Sequence, residues 1–139
     1  MQLYHLVSTA CEEEGIYTNI VKTSKDILII KNQMKKEFIS NFNEFFSFDI
    51  CKLNKMITCN SRITKDIGES TILFEYGDNF EKCEEIDCEG IVDVCNVECK
   101  NDKIIFTMED CNGRERKYLY SIHKIEVDDL SLDIDFEMN

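Results

Sequence analysis

The side chains of this 139-residue chain that could do chemistry are eight cysteines, two histidines and 28 carboxylates. Cys11, Cys51, Cys59, Cys83, Cys88, Cys95, Cys99 and Cys111 raise metal binding or disulfides first. The last five run C-x4-C-x6-C-x3-C-x11-C, without the paired C-x2-C knuckles that put two thiolates on one tetrahedral zinc. Cys95 and Cys99 share a strand face with Ile91 and Val97, where a free cysteine acts as a small hydrophobe. The acidic surroundings of Cys83 and Cys88 raise a thiol pKa, the reverse of what a reactive thiolate needs.

His5 and His123 are the imidazole bases. No Gly-x-Ser-x-Gly, His-Glu-x-x-His or Cys/His arrangement surrounds either. Adjacent carboxylates such as Glu84/Glu85 and Asp128/Asp129 point apart on a strand, and no apolar pocket is implied that would raise one pKa selectively. The five glycines are isolated, so no phosphate-cradling loop is expected. Glu84 to Asp93 and Asp102 to Asp110 lack the spacing of a calcium loop. No catalytic residue, metal or cofactor is expected from these patterns.

What remains is the carboxylate surface. The chain holds 28 acids against 16 bases, net −12 with pI about 4.5, which disfavours direct nucleic-acid binding because phosphate neutralisation needs Lys and Arg. The charge is uneven. Residues 1–74 hold nine acids and nine bases, whereas 75–139 hold 19 acids and seven bases. Candidate surface residues are Glu75, Asp78, Glu81, Glu84, Glu85, Asp87, Glu89 and Asp93, then Asp129, Asp133, Asp135 and Glu137 near the C-terminus. On a strand, residues i and i+2 share a face about 6.6–6.8 Å apart, a spacing comparable with successive phosphates on a nucleic-acid strand. Asp133, Asp135 and Glu137 form such a row, and Glu85, Asp87 and Glu89 form another if their segment is extended. The bland alternative is an acidic face that serves solubility alone.

The elements that must position these residues fall into two parts. Leu3, Leu6, Val7, Ala10 and Cys11 repeat as the stripe of a short N-terminal helix, with Gly15 placed as its C-cap. IYTNIVKT and ILIIKN, separated by Ser24-Lys25-Asp26, read as a hairpin. Gln33 to Phe48 puts Met34, Phe38, Phe42, Phe45 and Phe46 on one face of a Phe-rich helix. From residue 51 the period becomes two, and 51–59, 70–76, 90–99, 103–109 and 117–127 read as strands. Turn signals stand at Asp66-Ile67-Gly68, Gly77-Asp78-Asn79, Asn101-Asp102 and Asn112-Gly113, the last suiting a type I′ turn. Asp129 to Met138 alternates strictly and reads as an acid-guarded edge strand, or as a tail that docks by strand addition.

The expected fold is one α+β domain over 1–139. A mainly antiparallel, meander-like sheet of about six to eight strands packs against the helix at about 33–48 and the short N-terminal helix. No run approaches the length of apolar residues a membrane span needs, and no basic signal region is seen, so a cytoplasmic location in a bacterial or host cell is expected. The expected function is a non-enzymatic inhibitor that occupies the nucleic-acid-binding surface of a basic protein, as a phage or mobile-element anti-defence factor of anti-CRISPR kind would. The alternatives are an antitoxin or immunity protein capping a basic toxin, and a cysteine-rich zinc module or metal-dependent enzyme using His123. The C-terminal strand leaves a homodimer open.

Overall fold

The computed structural model describes the backbone of residues 1–47, 54, 57, 60–66, 69–87, 89–90, 94–109 and 112–127, with side chains except at 45–47, 89 and 90. Among the described residues are ten strands and one long helix: β1 (Gln2–Glu12), β2 (Gly15–Ser24), α1 (Ile27–Phe45), β3 (Phe46–Ser47), β4 (Ser61–Lys65), β5 (Thr71–Tyr76), β6 (Lys82–Asp87), β7 (Glu89–Gly90), β8 (Val94–Lys100), β9 (Lys103–Glu109) and β10 (Glu115–Glu126). Eight strands form one open sheet in the order β2-β1-β10-β9-β8-β4-β5-β6, and β3 and β7 pair separately. Every pairing is antiparallel. The α+β class and the antiparallel sheet are as expected. The meander is partial, because β4-β5-β6 and β8-β9-β10 follow chain order while β4 lies beside β8 and β10 beside β1.

Two expected elements are corrected. Residues 3–11 are not a helix but the greater part of β1, hydrogen-bonded on one side to β2 and on the other to β10. Leu3 and Leu6 point to opposite faces of this strand, yet both are buried, at 6% and 0% exposure. A strand apolar on both faces gives a pattern that periodicity cannot separate from a helical stripe. Gly15 accordingly does not cap a helix; it opens β2 opposite Glu12, across a hairpin turn at Glu13-Glu14.

The second correction concerns ILIIKN, which is the first part of α1 rather than a strand. Asp26 supplies the missing signal: the Leu28 N–H donates to Asp26 Oδ1 at 2.9 Å, an N-cap bond. From there Ile30, Met34, Phe38 and Phe42 recur every four residues and are all buried, so the apolar stripe begins eight residues earlier than Phe38. Phe46 lies past the helix end in β3. Of the run 51–59, read as a strand, Asn54 is helical and Ile57 lies outside regular structure; the rest falls outside the described residues. So does the C-terminal alternating segment 128–139.

Alternation explains the sheet's inner face. β4, β8 and β9 bury every second residue: Ser61, Ile63 and Lys65, then Cys95, Val97 and Cys99, then Ile104, Phe106 and Met108. Cys95 and Cys99 are buried in this core. The helix meets it through an aromatic cluster, with ring centres 5.4 Å apart for Phe38–Phe42 and Phe42–Phe106 and 5.9 Å for Phe38–Phe106. Two polar contacts set the helix on the sheet: Asn41 Nδ2 donates to the Tyr120 hydroxyl, and Lys31 Nζ donates to Asn101 Oδ1 in the β8–β9 turn at 2.8 Å. Burial pushes the Tyr120 phenol up to about 12, so it stays neutral.

Phe42 and Phe106 are fully buried. Phe42→Ala or Phe106→Ala should therefore lower the unfolding free energy by about 3–5 kcal/mol through the cavity left behind. Urea denaturation checks this, and a loss under about 1 kcal/mol at both positions would contradict the helix-on-sheet core.

Candidate functional site

A group of exposed acidic residues lies at one end of the sheet, where β6 is the last strand. β6 pairs with β5 from Tyr76↔Lys82 to Thr71↔Asp87, and of its six residues only Ile86 is buried. Antiparallel pairing holds it extended, so the condition for a carboxylate row is met in part. Glu85 and Asp87 share the face opposite the helix, about 6.6–6.8 Å apart by strand geometry. Glu84 points to the other face beside Phe74, and accepts a hydrogen bond from the Tyr76 hydroxyl at 3.2 Å. That bond and partial burial raise the Tyr76 phenol above its ordinary range.

The turn that launches β6 is tightly organised. Asn60 Nδ2 donates to the Gly77 carbonyl at 2.7 Å and also to the Asp78 carbonyl. Gly77 has φ +104, a backbone conformation that residues with a side chain rarely adopt. The Glu81 carboxylate accepts from the Asn79 N–H at 2.8 Å, and backbone hydrogen bonds, this one first, hold it below the usual glutamate range. Phe80, at φ +55, lies under the Arg62 guanidinium, 4.4 Å from ring centre to Cζ. The turn therefore presents the exposed Asp78 from a fixed backbone.

Behind the edge, the registers align Glu98, Arg62, Glu75 and Cys83 across β8, β4, β5 and β6. Arg62 Nε and Nη2 donate to the two Glu75 oxygens at 2.9 and 3.0 Å, the bidentate geometry that suits guanidinium and carboxylate. The pair's hydrogen bond holds the Glu75 carboxyl below its ordinary range and raises Arg62, with Glu98 adding to the latter.

The expected surface residues thus separate. Asp78, Glu84, Glu85 and Asp87 are exposed together on the edge, whereas Glu75 and Glu81 are engaged in holding it. Glu89 is not part of the β6 row: it lies in β7, opposite Ser47 of β3. Asp93, Asp129, Asp133, Asp135 and Glu137 fall outside the described residues. Glu98 joins the cluster although it was not singled out. Its signal was legible, because Cys95, Val97 and Cys99 facing the core force Glu98 to the other side.

The remaining reactive groups are spread out. Ser121 Oγ and His123 Nε2 lie 2.9 Å apart, but Nδ1 of His123 has no carboxylate to orient it among the described residues. No group of three or more His, Cys, Asp or Glu among the described residues could hold a metal, and no helix among them is long and apolar enough to cross a membrane. No family model, curated protein or solved structure matches this chain.

The Arg62–Glu75 pair gives a test of the site's framework. Because the folded Glu75 pKa is lowered, its stabilising share is complete above the ordinary glutamate range and is lost as pH falls through the lowered value. Arg62→Gln should raise the Glu75 midpoint in an NMR titration, and the stability difference between the two proteins should narrow in acid. An unmoved midpoint would mean that the pair is not formed in solution.

Proposed function

We propose that this protein is a non-enzymatic acidic binder that occupies the nucleic-acid-binding surface of a basic protein and so inhibits it. The observation that carries this reading is the edge strand β6 with its turn, which exposes Asp78, Glu84, Glu85 and Asp87 on a braced backbone. Lys82, the cation of this strand, sits with Nζ 5.8 Å from the Tyr76 ring centre, and the neighbouring Arg62 is already bound to Glu75. With Lys82 counted, the edge and its turn still carry more exposed carboxylates than cations.

Bracing supports the same reading. A surface held rigid before binding loses less side-chain and loop freedom on association, and Asn60, Gly77, Glu81 and Phe80 remove much of that freedom from the turn. A net charge of −12, part of it carried by the β6 edge and its turn, steers a cationic partner from a distance and makes association salt-sensitive. Phosphate-like spacing of Glu85 and Asp87 would let a cleft built for a nucleic-acid backbone accept the edge.

The experiment is affinity selection from source-cell lysate with the wild-type chain and with the combined Glu84→Lys, Glu85→Lys, Asp87→Lys variant, followed by competition using the purified captured protein. Charge reversal should slow low-salt association by roughly tenfold or more while the circular dichroism spectrum stays unchanged. An oligonucleotide should displace the wild-type chain. Equal capture by both chains, or a captured protein that holds chain and oligonucleotide at once, would refute the reading.

A further inference from the structure

The chain's two histidines, His5 and His123, are far apart in sequence and meet in the fold. They are direct cross-strand partners in the β1–β10 ladder, so both imidazoles stand on the face opposite the helix. Directly opposed residues of an antiparallel pair have Cβ atoms about 4.5–5.5 Å apart. Two imidazoles on such a base can converge on one ion at metal–nitrogen distances of about 2.0–2.1 Å.

Each ring is tied down at one nitrogen. His5 Nδ1 lies 2.7 Å from Thr23 Oγ1 on β2, and His123 Nε2 lies 2.9 Å from Ser121 Oγ on its own strand. With each hydroxyl accepting, the tautomers leave a lone pair on His5 Nε2 and on His123 Nδ1, neither of which has a partner among the described residues. A ligating histidine with its second nitrogen held by a hydrogen bond is the usual arrangement around a protein-bound metal, because that bond fixes both tautomer and ring orientation.

From this juxtaposition we infer that His5 and His123 form a two-histidine site for a divalent late transition metal, separate from the acidic edge. Imidazole pairs suit Cu²⁺, Ni²⁺ and Zn²⁺, with affinity greatest for Cu²⁺. Two protein ligands leave the other positions to water, so the ion exchanges readily. Each histidine belongs to a different terminal strand, so a bound ion bridges β1 to β10. The paired site exists only in the folded chain, so binding there raises thermal stability.

Ni²⁺ is the probe of choice, since Cu²⁺ is reduced by thiols and Cys83 is exposed. Calorimetric titration and NMR of the imidazole protons should show one Ni²⁺ per chain, selective broadening of both histidine signals and a rise in the melting midpoint. His5→Asn and His123→Gln, each first shown to melt as the wild type does without metal, should each weaken Ni²⁺ binding by roughly tenfold or more, at least the lower end of what outer-shell changes cost. Two variants guard against one failing to fold. Binding that survives both substitutions would place the metal on the thiols and overturn the site, as would unbroadened histidine signals at saturating Ni²⁺.

Discussion

The ladder between β1 and β10 is the contact on which the other parts depend. Its ten partners run from Gln2↔Glu126 to Cys11↔Lys117, joining the first strand of the chain to the last described one. The Met1 carbonyl accepts from the Val127 N–H at 3.0 Å, which continues the ladder past its last pair. Without it, the β1–β2 hairpin would have no sheet to extend and α1 would lose part of the surface it covers. Closing a loop of this length costs only slowly growing entropy, but such non-local pairing slows folding. The Tyr118 hydroxyl donates to Glu12 at 2.9 Å near one end of the ladder, and burial, with that contact, pushes the phenol up to about 12.

Once closed, the sheet has two edges of opposite character. β2 carries Ile16 and Ile20 at 71% and 62% exposure, and its one charge is Lys22. β6 carries Glu84, Glu85 and Asp87. Charges on an edge strand discourage further strand pairing, so the acidic end is guarded against edge-to-edge association. The uneven net charge of the sequence thus becomes a spatial asymmetry: the neutral half supplies the helix and the apolar edge, and the acidic half supplies β6.

Legibility in the sequence followed the local physics. Strands such as Lys103–Glu109 were readable because one face is buried and the other is not, giving a clean period of two. The Asn101-Asp102 turn was readable because it joins two such strands. β1 was misread because Leu3 and Leu6 are buried on opposite faces, and the start of α1 because four successive apolar residues suit either structure when Asp26 is not recognised as a cap. The acidic edge was legible as composition. Its division into exposed carboxylates and the braces Glu75 and Glu81 was not, since the Arg62 pairing depends on β4 lying beside β5. The meeting of His5 with His123 depends on the least local pairing in the fold and had no sequence signal.

Both the acidic edge and the face that carries the histidines rest on one ordered sheet joined through the β1–β10 ladder. Native-state amide hydrogen exchange tests that claim most directly. The account predicts that Leu6, Ser8, Leu119 and Tyr120 are among the slowest amides, because their strands are paired on both sides, and that outward amides of the edge strands β2 and β6 exchange far faster. Exchange of β1 amides as fast as those of the β6 edge would contradict it.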